Sequence, residues 1–263
     1  MANVVNQSDT KAPDFIWNGL YPTWETACDA ANAVVNRGGE GLSSGRWLQR
    51  ITQQLSDYKN EFQKYGVAIP PRPCHLPLIC AMTNPSTIID FGGSSGWSWE
   101  YLKNSLPKNG IVSYLIIETE LVVTHMNSLK AHEAPVSYKT HDDSTGCCDL
   151  LYSNSVLQYL NSNEPLLSIV KKSEPKLIFL EDCIAKGEKD FFSTQRYYDS
   201  SIPYRFIGLH KMLKELTGYA EVARFPYVAP ILGMTTPLVM GNFPEVYRTR
   251  YASSILMKRV NRE

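Results

Sequence analysis

From residue 86 onward, short apolar runs alternate with amphipathic stretches. Thr87-Ile88-Ile89-Asp90-Phe91 is a β-rich run that stops at Gly92-Gly93, and Val112–Glu118, Val136–Lys139, Cys148–Tyr152 and Lys176–Leu180 are further strand candidates. Ser95–Leu106, Leu121–Ala131 and Pro165–Lys172 lie between them and read as helices. Tyr204–Leu216 is predicted to be another helix, ended by Gly218, and Glu221–Tyr227 and Tyr251–Met257 are late strands. Strands alternating with helices predict an α/β fold, a doubly wound, mainly parallel seven-stranded sheet. No internal repeat is present.

The first third of the chain has a different rhythm. Residues 1–13 are polar and read as a disordered lead-in ending at Pro13. Thr23, after Pro22, is placed to cap a helix from Trp24 to about Val35, and Gly38-Gly39-Glu40-Gly41 breaks it. A second helix is predicted from Ser43 or Ser44 to Gly66. Its apolar positions Leu48, Ile51, Leu55, Tyr58, Phe62 and Tyr65 alternate spacings of three and four, which makes one stripe. Pro70-Pro71-Arg72-Pro73 and Pro77 are expected to prevent regular structure. This divides the chain into a helical arm over 14–80 and a larger domain over 81–263. The arm, with Trp17, Tyr21 and Trp24, can serve as a lid or as a homodimer surface.

Composition narrows the classes. The chain is 43% hydrophobic and 20% charged, with 26 Lys+Arg against 26 Asp+Glu. That balance lacks the basic excess of a dedicated nucleic-acid binder, so no nucleic-acid partner is expected. The amino terminus has no apolar signal core, and no stretch approaches a membrane span. The six cysteines, Cys28, Cys74, Cys80, Cys147, Cys148 and Cys183, form no C-x-x-C pair. They read as reduced, mostly buried thiols of a cytoplasmic protein. His75, His125, His132 and His141 lack a spacing such as H-x-x-x-H, so no metal is expected.

The candidate chemistry begins where the first core strand ends, at Asp90-Phe91-Gly92-Gly93-Ser94-Ser95-Gly96. Ligands of an open α/β sheet sit at the carboxyl ends of its strands. Glycines there let the backbone turn sharply, and the next helix offers free N–H groups. Such a turn can cradle a dinucleotide pyrophosphate or the methionine end of S-adenosylmethionine (SAM). The order resembles the methyltransferase pattern D-x-G-x-G-x-G, with Ser94 at the middle glycine. Glu118 lies 22 residues after Gly96, at the end of the second strand, where an acid accepts both ribose hydroxyls. Glu120 is its alternate. Asp142, of the pair Asp142-Asp143, is the candidate for the adenine amino group. Ser153 and Asn154, after the fourth strand, are candidates for lining the cofactor, and Trp97 and Trp99 for walling it.

Taken together, the sequence resembles a bacterial family of class I SAM-dependent methyltransferases often encoded among surface-polysaccharide, O-antigen-like biosynthesis genes. The resemblance runs from Trp17 to about Tyr219. It is carried by Trp17-x-Gly19, Trp24-x-x-Ala27, Asp90-Phe91-Gly92-Gly93 with Gly96, Leu157-Gln158-Tyr159-Leu160, Asp182, Gln195, Pro203 and Gly218-Tyr219. The chain departs from the family at Glu181-Asp182-Cys183-Ile184, where the family has an Arg after the Asp and this chain has Cys183. The resemblance implies a Rossmann-like class I methyltransferase fold, SAM as cofactor and a small-molecule or glycan-linked acceptor, with O-methylation of a sugar foremost.

Methyl transfer is an in-line displacement, and a hydroxyl acceptor needs a general base. Asp182, at the end of the fifth strand, with Glu181 as its alternate, and His210 are the catalytic candidates. Gln195, Tyr198 and Arg205 are substrate-binding candidates because the aromatic and polar run from Phe191 to Arg205 suits a carbohydrate, and Gln158 and Tyr159 because the resemblance implies that the loop after the fourth strand borders the substrate. No Asn-Pro-Pro-Tyr or Asp-Pro-Pro-Tyr motif follows the fourth strand, which disfavours amino methylation of adenine or glutamine. The alternatives are a non-catalytic SAM-fold protein in a biosynthetic assembly and a nicotinamide-dependent oxidoreductase, against which the Gly92-x-x-x-Gly96 spacing speaks.

Overall fold

The computed structural model describes residues 15–35, 45–107, 110–130, 133–141, 146–183, 187–197, 200–228 and 238–260. The main sheet contains β2 (Thr87–Phe91), β3 (Ser113–Ile117), β4 (Val136–Lys139), β5 (Leu150–Asn154), β6 (Leu177–Cys183), β9 (Tyr219–Tyr227) and β10 (Ala252–Arg259). Their order across the sheet is β4-β3-β2-β5-β6-β10-β9. The first five are mutually parallel, and β10 runs antiparallel to both β6 and β9. The order reverses between β2 and β5, which opens a crevice at their carboxyl ends.

Period-two alternation sends side chains to two cores. Ile89, Phe91, Ile117, Leu151, Ile178 and Leu180 pack beneath α6 (Glu164–Ser173) and α7 (Leu209–Glu215). Ile88, Tyr114, Ile116, Leu150, Tyr152 and Phe179 face α3 (Leu76–Thr83) and α4 (Trp97–Ser105). Each fully buried Ile or Leu stabilises the fold by about 1.5–3 kcal/mol, which is why the central strands are apolar on both faces. The strands expected from the sequence from β2 to β6, and both late strands, are present.

A second, antiparallel sheet has the order β1-β7-β8, from β1 (Trp17–Tyr21), β7 (Phe191–Tyr197) and β8 (Ser200–Phe206). This corrects two expectations. Tyr204 and Arg205 belong to a strand, and the helix begins only at Leu209. The segment called a helical arm also contributes a strand, β1. The driving force is tertiary: Trp17 meets Tyr204 and Phe206 edge-on, with ring centres 5.5 and 5.4 Å apart, and such packing overrides local propensity. The prolines also mislead. Pro77 lies in the first turn of α3, where its missing N–H costs nothing. The boundary near residue 80 therefore falls inside a helix of the main core.

The helix α1 (Trp24–Val35) packs on β7 and β8. The stripe of α2 (Gly45–Tyr65) buries Ile51 and Leu55 against Trp97, Val122 and Met126, the last two on α5 (Glu120–Ser128). It is thus covered by the main domain. The lead-in over 1–13 lies outside the described residues. No described helix is long and apolar enough to cross a membrane.

Candidate active site

A cavity of about 860 Å³ opens at the carboxyl ends of β2, β3 and β5. Its floor is the turn after β2. Gly92, Ser94 and Gly96 all adopt left-handed φ, at 73°, 54° and 74°. A Cβ on Gly92 would stand 2.3 Å from Val156 Cγ2, and one on Gly93 2.6 Å from the Asp90 carboxylate. Gly92 is therefore required by space as well as by φ, and Gly93 by space.

Asp90 is buried, and its Oδ2 accepts hydrogen bonds from Ser98 Oγ at 2.5 Å and Tyr114 OH at 2.7 Å. Burial pushes its pKa up to about 6, against the opposing effect of those bonds. Asp90 thus anchors the turn from below. Glu118 follows β3 at the cavity wall. Its Oε1 accepts the Ser94 N–H at 3.0 Å and its Oε2 the Thr119 N–H at 2.9 Å. Burial raises its pKa too. Glu120 opens α5, is exposed and lies outside the cavity lining.

The structure gathers Asp90, Gly92, Gly93, Ser94, Glu118, Asn154 and Tyr159 around the cavity. Trp97 joins them, whereas Trp99 packs on Tyr114 in the core, 5.1 Å between rings. Asp142 and Tyr198 lie outside the described residues. Their described neighbours His141 and Tyr197 line the cavity. α1 and α2 contribute Ala31, Asn32, Trp47 and Gln54 to its wall.

Apart from Gly96, at the end of the turn, and Asp182, five sequence candidates are placed off the cavity. Ser153 is buried and donates to the Phe91 carbonyl at 3.0 Å, tying β5 to β2. Gln158 is buried away from the cavity. Gln195 stands behind Tyr159, with which it is hydrogen-bonded. His210 is a surface residue, its Nδ1 2.6 Å from Glu188 Oε1, and so is no candidate base. Arg205 is fully buried: its Nη2 donates to the Leu157 carbonyl at 3.0 Å and to Asn163 Oδ1 at 2.8 Å, and its Nη1 lies 3.5 Å from Asp190 Oδ2. It clamps β8 to the segment that carries Tyr159. Arg205→Lys keeps the charge and loses the planar fork, so urea denaturation should show a loss of about 2 kcal/mol.

Asp182 does not line the cavity, yet it acts on a residue that does. It falls where the β6–β10 pairing shifts register, with φ 56°. Ser155, on the cavity wall and itself at φ 60°, donates its Oγ proton to the Asp182 carboxylate. Burial raises the Asp182 pKa to about 6, opposed by the Ser155 bond and by the charge of Arg72. Backbone strain of this kind clusters at functional sites.

Glu181, the alternate to Asp182, supports this wall together with His75, which the sequence did not single out for the site. Glu181, fully buried, accepts His75 Nδ1 at 2.6 Å, the His75 N–H at 3.0 Å, Tyr152 OH at 2.8 Å and Asn154 Nδ2 at 3.4 Å. Tyr152 and Asn154 line the cavity. The hydrogen bond to Glu181 raises the His75 pKa, partly offset by desolvation. Among the described residues, no group of three or more His, Cys, Asp or Glu is arranged to hold a metal ion.

No family model matches the chain, and no curated protein matches it. Solved structures similar to it include an S-adenosylmethionine dependent methyltransferase from Mesorhizobium loti, at 14% identity, covering 70% of this chain and 97% of that one with a TM-score of 0.46. Another is the glycopeptide N-methyltransferase MtfA with S-adenosylhomocysteine, at 11% identity over 70% and 87% of the two chains, TM-score 0.44. Human N-acetylserotonin methyltransferase with SAM is similar at 11% identity over 80% and 57%, TM-score 0.46. The fold itself is Rossmann-like, a mostly parallel seven-stranded sheet with flanking helices.

Proposed function

We propose that the chain is a SAM-dependent methyltransferase acting on a small-molecule or glycan-linked acceptor, with an oxygen of a sugar as the methylated atom. The observation that carries this reading is the pairing of the Cβ-excluding turn Gly92-Gly93 with Glu118 at the end of the next strand, both on one cavity. These residues fit the cofactor. The turn leaves room for a ligand to approach the backbone. The Glu118 carboxylate has roughly four acceptor sites, of which two hold backbone N–H groups, leaving the others for a ribose diol. When bound, SAM supplies an electrophilic methyl group on a sulfonium. The chain aligns the acceptor and excludes water, with Tyr159, Tyr197 and Pro203 on the acceptor side and α1 and α2 as the covering wall. Asp182, acting through Ser155, is a positioning residue able to take up a proton near neutral pH.

Calorimetric titration of S-adenosylhomocysteine and SAM, with NAD as control, tests this reading. The wild-type protein is expected to bind with Kd of about 1–100 μM, and Glu118→Ala to bind at least about tenfold more weakly, a loss of ~1.4 kcal/mol. Binding of NAD in place of SAM would overturn it.

A further inference from the structure

The cavity carries its charge unevenly. Among its described lining residues Arg72 is the sole Arg or Lys, while the acids Asp90 and Glu118 sit at the ends of β2 and β3. The Arg72 guanidinium is half-buried and makes no hydrogen bond or ion pair among the described residues. The carbonyl of its neighbour Pro73 is bonded to Asn154 and Tyr227, and its charge acts on Tyr159, Asp182 and Tyr227, which places it at the β5–β6–β9 side of the crevice. Asp182 attracts it from a distance, but the two make no hydrogen bond or ion pair among the described residues, the Asp182 carboxylate being bonded to Ser155.

The segment holding Arg72 is fixed. Proline stands on both sides of it. The Pro73 carbonyl accepts Tyr227 OH at 2.8 Å and Asn154 Nδ2 at 3.2 Å, and the His75 N–H is held by Glu181. A partly desolvated guanidinium with no hydrogen-bonded acceptor among the described residues is unfavourable, and a ligand anion removes that cost. The guanidinium fork matches carboxylate and phosphoryl oxygens in pairs.

We propose that Arg72 anchors an oxyanion, a carboxylate or a phosphoryl group, on the methyl acceptor, so that the acceptor is an acidic molecule. This rests on the methyltransferase reading. The other source of the same chemistry is the α-carboxylate of the cofactor, and the test separates the two.

Wild type, Arg72→Gln and Arg72→Lys, each saturated with S-adenosylhomocysteine, are titrated at low ionic strength with glucose, glucuronate and glucose 1-phosphate. At least one anionic probe is expected to bind wild type about tenfold or more tighter than glucose, the preferred probe identifying the oxyanion. Arg72→Gln should abolish that preference and Arg72→Lys retain part of it, with S-adenosylhomocysteine affinity changed by less than about twofold. Equal binding of the neutral and anionic probes by wild type overturns the proposal. So does an anion preference that survives in Arg72→Gln while S-adenosylhomocysteine binding falls about tenfold, which assigns Arg72 to the cofactor carboxylate. If wild type does not bind S-adenosylhomocysteine, it is the methyltransferase reading that fails. The same probes on the unliganded protein then decide the anion anchor alone. Arg72 makes no hydrogen bond or ion pair among the described residues, so unchanged thermal midpoints are expected and check folding.

Discussion

Gly92→Ala is expected to lower stability by about 2–5 kcal/mol and to abolish measurable cofactor binding. Two separate costs add. A left-handed residue with a Cβ costs about 1–2 kcal/mol, and Gly92 stands at φ 73°. The new methyl would also meet Val156 Cγ2 at 2.3 Å and Cγ1 at 2.8 Å, an overpacking that costs about 1–3 kcal/mol. Val156 is itself on the cavity wall, so relief of the clash moves the surface the ligand needs. The double variant Gly92→Ala/Val156→Ala separates the two costs. It should recover the steric part and leave the backbone part, and urea denaturation of the four members of the cycle measures both. A wholly additive cycle would mean that the two residues do not touch.

What could be read from the sequence was local. The glycine turn, Glu118 and the strand ends between them lie within one β-α-β unit, so spacing along the chain is spacing in the fold. Ser94 shows the limit of such reading: it stands where the pattern has glycine, and the backbone still turns left-handed there at φ 54°, with its N–H held by Glu118. Most of the features that escaped are non-local. β1 becomes a strand by pairing with β7 far along the chain, a contact that no window of sequence contains. β8 pairs with its sequence neighbour β7, and there the run from Tyr204 misreads as the start of a helix. Arg205 looked like a substrate ligand because it lies among aromatics, yet those aromatics are the core of the small sheet. Arg72 and His75 were hidden in a proline-rich stretch that reads as an irregular linker. Their importance comes from Asn154, Glu181 and Tyr227, which hold that stretch against the site.

Glu181→Ala is expected to be the most destabilising change at the cavity wall, by about 3–5 kcal/mol, because removing one partner of a buried charged pair leaves the other groups unpaired. Tyr152, Asn154 and the His75 backbone would all lose an acceptor in a dry environment. Glu181→Gln keeps the shape and one acceptor oxygen, so its cost should be nearer about 1–2 kcal/mol. The two variants also differ from wild type in their response to pH. The His75 pKa is raised in the folded chain. Its contribution to stability is therefore complete below its unfolded value, about 6.5, and is lost as pH rises through the raised folded value. Wild type should lose stability across that window, and Glu181→Gln should lose less, since the bond that raises the His75 pKa is weakened. NMR titration of the His75 ring, alongside denaturation at several pH values, measures both effects. A His75 pKa that stays raised in Glu181→Gln would show that its neighbours Phe225 and Tyr227, 5.1 and 6.4 Å away between rings, rather than the carboxylate, set its environment.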